Sequence, residues 1–199
     1  MWGLRFIQLL VGLCLFGLGA ALMVRANLGL DPWNVFHQGV AGLTPFSLGT
    51  ITIASGVVVM LLWIPLKLRP GIGTIANILV IGLSLDVFLG LIPQGEGMMI
   101  RAAFMVLGLV LTGLGSAAYI GAGMGTGPRD GLMIGLNQRF GWSIRVSRML
   151  VELVVLAAGW MMGGVVGLGT VAFALLIGPI VQFCLPPFRR WWQPRPVEP

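Results

Sequence analysis

The chain has 199 residues, of which 57% are hydrophobic and only 9% are charged, and its formal net charge is +6. Soluble domains carry about 25% charged and about 45–50% apolar residues, and a mean hydropathy of +0.99 has no explanation in a soluble protein of this length. Composition therefore excludes a soluble enzyme domain. It predicts an all-α, polytopic membrane helix bundle that is embedded in the lipid bilayer. Nucleic acid is not an expected partner, because the basic residues lie at the ends of apolar segments and not on one face.

The first apolar segment runs from about residue 5 to 25 and follows Arg5. It could be a signal peptide or a retained first span. We favour a retained span, because the run is long and its sequence recurs later in the chain. Cys14 lies in this segment and Cys184 in the last one, and both are expected to be reduced thiols that behave as small hydrophobic residues.

A short polar segment follows, from Asp31 to Leu43. Its roughly 13 residues cannot cross a bilayer as a helix, which needs about 20. Asp31 followed by Pro32 is a good helix start, and Asn34, His37 and Gln38 can share one face of that helix. The segment is either a re-entrant half-helix that binds a substrate or an amphipathic helix at the interface. One histidine makes no metal site, and we expect neither metal nor cofactor.

Two further apolar segments, residues 47–66 and 71–92, complete the first half of the chain, with Lys67 and Arg69 in the loop between them. Asp86 lies toward the far end of the second segment. Ionisable residues inside a membrane are costly and therefore suggest function. Asp86 could belong to a substrate or ion path, or it could neutralise Arg25, for which Asp31 is another possible partner.

The two halves of the chain are repeats of each other. Shifted by 96 residues (128 − 32 for the two prolines), the sequence matches itself without a gap. Glycine, proline, threonine and arginine matches carry the argument, because leucine and valine match by low complexity alone. They include Arg5 with Arg101, Gly12 with Gly108, Gly19 with Gly115, Pro32 with Pro128, Ser47 with Ser143 and Thr74 with Thr170. We therefore divide the chain into repeats 1–97 and 98–188 and a cytoplasmic tail, 189–199, and call residues 96 positions apart equivalent.

The second repeat predicts spans at about residues 101–121, 143–162 and 167–187, and a short helix from Pro128 to Phe140. The short helix offers Arg129, Asp130 and Asn137. In the following span Glu152 lies four residues after Arg148, so the two share a helix face. Glu152 is either a carboxylate that couples transport to a proton or an ion, or one partner of a structural ion pair in which Arg148 neutralises its charge.

About six spans are expected, three in each half, and an odd number inverts the second half relative to the first. Basic residues support this arrangement if both termini are cytoplasmic, because the loops expected inside carry Lys67, Arg69, Arg139 and Arg145, whereas 94–97 and 163–166 carry no basic residue. Trp191 and Trp192 beside the terminal arginines predict an interfacial anchor, and the tail from Pro194 to Pro199 is expected to be disordered.

Signatures of soluble enzymes are missing from the sequence. The glycine-rich stretch 121–127 lacks the lysine of a phosphate-binding loop and follows a membrane span instead of a strand. No nucleophile–base pair suggests an intramembrane hydrolase. We predict that the protein is not an enzyme.

Two segments resemble one known family. Residues 27–36 (NLGLDPWNVF) and 123–133 (GMGTGPRDGLM) look like those of the bacterial YczE/YyaS/YitT-type membrane proteins. The resemblance implies a bacterial cytoplasmic-membrane protein of poorly defined function and, in some relatives, an influence on secondary-metabolite production. It supplies no catalytic residues.

Two functions compete on the sequence alone. The first is a small secondary transporter or exporter with a central site between inverted repeats. Its expected substrate-binding residues are Asn34, His37, Gln38, Arg129, Asp130 and Asn137, its coupling residues Glu152 and Asp86, and its ion-pair partners Arg148 and Arg25. The second is a non-transporting accessory protein that docks an enzyme or membrane subunit, with glycine-rich faces that also allow a homodimer.

Overall fold

The computed structural model describes residues 2–190, which form eight α-helices and no β-strand. The predicted all-α class is confirmed. The helices are α1 (Trp2–Ala26), α2 (Pro32–Leu43), α3 (Leu48–Leu61), α4 (Ile72–Leu91), α5 (Gly97–Gly121), α6 (Pro128–Phe140), α7 (Ile144–Met161) and α8 (Leu168–Arg190). The chain remains helical through Arg190, beyond the expected start of the tail, and the predicted tryptophan anchor and disordered tail lie outside the described residues.

The local sequence accounts for where the helices begin and end. Ser47 and Ser143 occupy equivalent N-cap positions, and their side chains accept hydrogen bonds from the N–H groups of Thr50 and Val146 at the starts of α3 and α7. Pro32 and Pro128 open the two short helices, α2 and α6. Gly141 ends α6 in the left-handed conformation that glycine adopts most readily. Element order and helix starts therefore repeat along the chain at the predicted spacing.

Helices α1 and α5 form the closest helix pair, held together at glycines. An ideal β-carbon on Gly12 would lie 2.9 Å from the carbonyl oxygen of Gly115, and one on Gly19 would lie 2.6 Å from that of Gly108. Such distances leave no room for a side chain, and small residues of this kind let membrane helices approach closely. Because the earlier glycine of α1 faces the later glycine of α5, the two helices run antiparallel.

The loops that follow α1 and α5 make reciprocal contacts. The N–H group of Gly73, at the start of α4, donates to the carbonyl of Met124 at 2.9 Å. The equivalent N–H group of Gly169, at the start of α8, donates to the carbonyl of Leu28 at 2.8 Å. Each half therefore holds the loop of the other half through equivalent atoms.

Four of the helices within residues 2–190 are long and apolar enough to span a membrane, namely α1, α4, α5 and α8, and the bent pair α2–α3, with 116° between its helices, would make five. The sequence suggested about six spans. The difference lies in the second span of each half. Helix α3 has only 14 residues, and α7 carries three charged side chains, Arg145, Arg148 and Glu152.

The outer surface is apolar. Phe183 is 86% exposed, Leu175 68% and Trp160 67%. A soluble protein rarely exposes contiguous apolar surface of this extent, whereas lipid accepts it. Together with the spanning helices, this surface identifies a helical membrane protein.

The two halves differ in how their second and third long helices pack. Helix α3 lies along α4, where a β-carbon on Gly82 would be 2.6 Å from the carbonyl oxygen of Gly49. Helix α7 packs mainly on α2 and not on α8, and the equivalent glycine, Gly178, has open space where its β-carbon would be. The second half is therefore open at a place where the first half is closed.

Basic residues gather at one end of the bundle. The position of a β-carbon on Gly121 contacts Gln8 and Phe188, and that on Gly71 contacts Met124, so the start of α1, the α3–α4 connection and the ends of α5 and α8 lie together. Gly135 of α6 packs on Leu66 at the same end. The segments of this end carry Arg5, Lys67, Arg69, Arg139 and Arg189.

Candidate functional site

A cavity of about 280 Å³ lies inside the bundle and is lined by residues from all eight helices or their N-caps. Most of its wall is apolar, but five charged side chains reach it. They are Asp31, Arg129, Asp130, Arg148 and Glu152. In a membrane protein, such a group of charges marks the first place to look for function.

The first turns of the two short helices form one wall of the cavity. Trp33 and Arg129 occupy equivalent positions after the helix-opening prolines, and the guanidinium carbon of Arg129 lies 4.7 Å from the centre of the Trp33 ring. Two hydrogen bonds fix the start of α6: Trp63 donates from its indole to the Pro128 carbonyl at 3.0 Å, and Thr74 donates to the Thr126 carbonyl at 2.7 Å. At this wall, equivalent residues of the two repeats therefore meet in a cation–π contact.

The Arg129 side chain is positioned by the Trp33 ring and by the charge of Asp31, and not by hydrogen bonds from its own N–H groups to other described residues. Its Nη1 lies 3.8 Å from Oδ1 of Asp31, which is beyond hydrogen-bond distance. Among the described residues its guanidinium donates no hydrogen bond, although it carries five N–H groups. Asp31, by contrast, accepts from the backbone N–H and the side-chain amide of Asn34 and so caps α2 as predicted.

Asp130 and Glu152 each have a partner of their own. The Tyr119 hydroxyl donates to Oδ2 of Asp130 at 2.8 Å, and the carboxylate lies in the first turn of α6, where the helix dipole favours negative charge. Nε of Arg148 donates to Oε1 of Glu152 at 2.9 Å. The predicted intrahelical ion pair of α7 is therefore present and lies on the cavity wall. Its role in coupling stays a prediction.

Residues 3–186 match the model of one protein family, a family of unknown function designated DUF6198. The chain belongs to this family. It is 45% identical over 177 residues to an uncharacterized protein of Haemophilus influenzae (89% of this chain, 81% of the relative). It is 33% identical over 185 residues to the uncharacterized membrane protein YczE of Bacillus subtilis (92% and 86%), and 22% identical over 180 residues to YyaS of the same organism (88% and 90%). No solved structure matches the chain.

Membership of DUF6198 confirms the resemblance to YczE- and YyaS-type proteins. In this family member, the two segments that carried the resemblance contribute one wall of the cavity. Residues 31–33 come from the first segment and residues 127–130 from the second. The family has no described activity, and the geometry of this cavity is the feature of the protein that bears on function.

The structure brings four of the predicted residues together at the cavity: Arg129, Asp130, Arg148 and Glu152. It does not bring His37 there. His37 is 0% exposed, with Nδ1 3.0 Å from the Thr52 hydroxyl and Nε2 2.6 Å from the Ser55 hydroxyl. Thr52 lines the cavity, so His37 lies one residue behind the wall and supports it.

Asn34, Gln38 and Asn137 do not line the cavity, contrary to the sequence-based expectation. The Asn34 amide binds Asp31, the Gln38 side-chain oxygen accepts from the N–H of Val165 at 2.8 Å, and the Asn137 amide donates to the carbonyl of Trp142. The helices that carry these residues were predicted correctly. Helical spacing predicts which residues share a face, but it does not predict which part of the protein that face contacts. Here it meets loops and helix ends.

The pairing suggested for Arg25 is wrong. Its guanidinium donates to the Leu89 carbonyl and to Oε1 of Gln94. Asp86 instead accepts from the Ser47 hydroxyl at 2.5 Å and from the N–H of Gly49 at 2.7 Å. Asp86 therefore fastens the start of α3 to α4 and lies outside the cavity.

Several lining residues escaped the sequence analysis, among them Trp33, Asn77, Tyr119 and Gln182. The repeat held a signal for two of them: Trp33 is the equivalent of Arg129, and Gln182 is the equivalent of Asp86. Gln182 faces the cavity because α7 stands away from α8, whereas Asp86 is covered by α3. Nothing in the sequence pointed to Tyr119, because a tyrosine in an apolar span does not by itself indicate a site. Only the structure shows that its hydroxyl donates to Asp130.

Proposed function

We propose that this protein is a small secondary transporter that binds one small molecule in the central cavity. The observation that carries the proposal is a cluster of five charged side chains around one cavity, three of them at the starts of the two short helices and two on α7. Secondary transporters bind their substrates near such half-helix ends, between repeats. The charged groups cost free energy in a membrane, and transport gives that cost a function.

We infer further that the two repeats are inverted. Antiparallel packing of the equivalent helices α1 and α5 supports this, because a twofold axis across two antiparallel helices exchanges them. The reciprocal contacts of Gly73 with Met124 and of Gly169 with Leu28 fit the same axis.

Inverted repeats suggest how access would alternate. In the observed state α3 is packed on α4 while α7 stands away from α8. In the opposite state the two halves exchange these arrangements, so that α7 closes on α8 and α3 leaves α4. The cavity then opens on the other side of the membrane, and Glu152, on the helix that moves, is the coupling carboxylate.

The basic end of the bundle faces the cytoplasm in this proposal, with both termini inside a bacterial cytoplasmic membrane. The positive-inside tendency of membrane proteins supports the assignment. Of the two arginines at the other end, Arg25 donates to the Leu89 carbonyl and Arg101 donates to the carbonyls of Ala26 and Asn27. Their charges are thus held by backbone oxygens.

Flux through purified protein tests the proposal. Liposomes with and without the protein are loaded with a small-molecule extract of bacterial cells, and release is followed by mass spectrometry under a proton gradient. We expect at least one solute to leave faster with protein than without it, and Glu152→Gln to bring that rate toward the protein-free value. If no solute and no proton moves, the transporter proposal is wrong.

A disulfide between α3 and α4 tests the proposed movement in the same assay, and the reduced double variant is its own control, because Gly56 and Ile78 both line the cavity. A β-carbon on Gly56 would lie 3.5 Å from Cβ of Ile78, a separation that suits a disulfide. In a background with Cys14→Ala and Cys184→Ala, Gly56→Cys with Ile78→Cys should cross-link α3 to α4. Oxidation should stop release and a reductant should restore it. Equal rates in the two states would show that separation of α3 from α4 is not part of transport.

A further inference from the structure

The cavity also indicates what class of molecule it holds. We propose that the ligand is a small organic monocarboxylate with an apolar body and that Arg129 and Trp33 bind its carboxylate. The inference rests on the site of the proposed transporter, but it concerns binding and can be tested without transport.

The first step is to match donors with acceptors around the cavity. Each carboxylate of the wall already accepts a hydrogen bond: Asp31 from Asn34, Asp130 from Tyr119 and Glu152 from Arg148. The guanidinium of Arg129 donates none among the described residues. Each carboxylate has at least one partner, whereas the groups that lack any hydrogen-bond partner in the described part of the chain are donors, and an acceptor on the ligand would pair with them.

Trp33 supplies a second donor without an acceptor. Its side chain lines the cavity, is only 7% exposed, and its indole N–H is buried with no hydrogen-bond partner within residues 2–190. A buried donor left unpaired costs about 1–3 kcal/mol. Because this nitrogen is buried, the indole ring must shift before a ligand oxygen can reach it. A carboxylate that then meets both Trp33 and Arg129 removes that cost, and the planar guanidinium matches its two oxygens.

Charge selects a monoanion over a dianion. The wall carries three carboxylates and two guanidinium groups. Asp31 lies 3.8 Å from Arg129, and Asp130 is the next residue along α6. With three carboxylates and two guanidinium groups the wall has a net charge of −1 (2 − 3). These carboxylates would repel a phosphate ester with two charges more strongly than a monocarboxylate, whose one charge can lie directly against Arg129.

The remaining wall describes the rest of the ligand. It is formed largely by apolar side chains, namely Phe16, Ile78, Ile81, Met133, Ile177 and Val181. A charged body would lose most of its hydration there, because the neutral polar side chains of this wall are few, namely Thr52, Asn77, Ser116, Tyr119 and Gln182. The volume of about 280 Å³ suits one compact molecule.

Three probes of one shape and different charge test the inference. Benzoate, benzamide and benzylamine are titrated into the purified full-length protein in nanodiscs at about pH 8, where a carboxylate is fully ionised, and binding is followed by calorimetry. We expect benzoate to bind at least about tenfold more tightly than the other two, as a charge-assisted bidentate contact allows. Tighter binding of benzylamine, or no binding of any probe, overturns the inference.

Variants assign the carboxylate to its partners. Arg129→Gln should abolish the preference for benzoate, and Arg129→Lys, which keeps the charge but loses the fork, should weaken benzoate binding several-fold. Trp33→Phe, which keeps a ring but loses the N–H group, should weaken benzoate more than benzamide. Arg139→Gln, an exposed arginine on the same helix outside the cavity, is the control and should bind as the wild type does. Wild-type benzoate binding in folded Arg129→Lys and Trp33→Phe would contradict the assignment.

Transport assays separate this inference from the proposed function. If benzoate binds in an Arg129-dependent manner but no solute moves in liposomes, the carboxylate site stands and the transporter proposal falls. If liposomes release amines or neutral solutes but no carboxylate, the transporter proposal stands and the carboxylate class is wrong.

Discussion

Equivalent residues of the two repeats have taken different tasks. At one pair of positions, Trp33 presents a ring and Arg129 presents a cation that stacks on it. At another pair, Asp86 fastens α3 to α4 while Gln182 faces the cavity. A duplicated chain starts with the same chemistry twice, and divergence of single residues is what turns two half-bundles into one site.

Asp86 allows a test at the scale of a residue. Asp86→Ala leaves the N–H group of Gly49 without its acceptor at the start of α3, and a lost partner of this kind costs about 1–3 kcal/mol. We expect a lower thermal unfolding temperature in detergent. Asp86→Asn, which keeps an acceptor oxygen, should lose less. Glu96→Ala is the matched control, because Glu96 is exposed and its side chain caps nothing. Equal melting of all three variants would contradict the role given to Asp86.

Helices of this protein could be read from local signals, but their packing could not. Caps such as Ser47 and Ser143 and the prolines that open α2 and α6 act within a few residues of themselves. The α1–α5 contact joins Gly19 to Gly108, which lie far apart in the chain. From the sequence, the glycine-rich faces indicated only that helices could associate with a partner or in a homodimer, and the tertiary structure shows that α1 and α5 pack on each other.

This contact makes a prediction at the scale of the element. Gly19→Ala would place a methyl group 2.6 Å from the carbonyl oxygen of Gly108, and overpacking of this kind costs about 1–3 kcal/mol. Gly3→Ala on the same helix meets nothing within 4 Å, so the helix preference for alanine should make it neutral or slightly stabilising. Thermal unfolding in detergent measures both. A Gly19→Ala protein as stable as Gly3→Ala would argue against tight α1–α5 packing.

As a whole, the molecule places its cavity between two halves that are alike in order and unlike in packing. One half is closed between α3 and α4, and the other is open between α7 and α8. Burial of a single hydrophobic core does not require such a difference in packing between the two halves. The proposed transporter has two interconverting states, and in each state a different half is closed. Such a protein requires this difference between its halves.

Orientation in the membrane is the prediction at this scale. Single cysteines replace Pro70 and Gln138 at the basic end, or Glu96 and Val166 at the other end, in a protein without Cys14 and Cys184. An impermeant thiol reagent should label the Glu96→Cys and Val166→Cys proteins in intact cells. It should label the Pro70→Cys and Gln138→Cys proteins only after the cells are opened. Labelling of Pro70→Cys and Val166→Cys from the same side would rule out the inverted arrangement.

The sequence by itself determined the class of protein, the starts of most helices and the repeat, because hydropathy, caps and prolines act over a few residues. It did not determine the length of α3, which ends at Leu61 and not near residue 66, or the number of spans. It also pointed to Arg129, Asp130 and Glu152, since charge in an apolar segment is conspicuous. Only the tertiary structure decided that these residues share a cavity with Trp33 and Tyr119, and that His37 stands behind its wall. The physical reason is that a helix face is set by local periodicity, whereas its neighbour is set by contacts between residues distant in the chain.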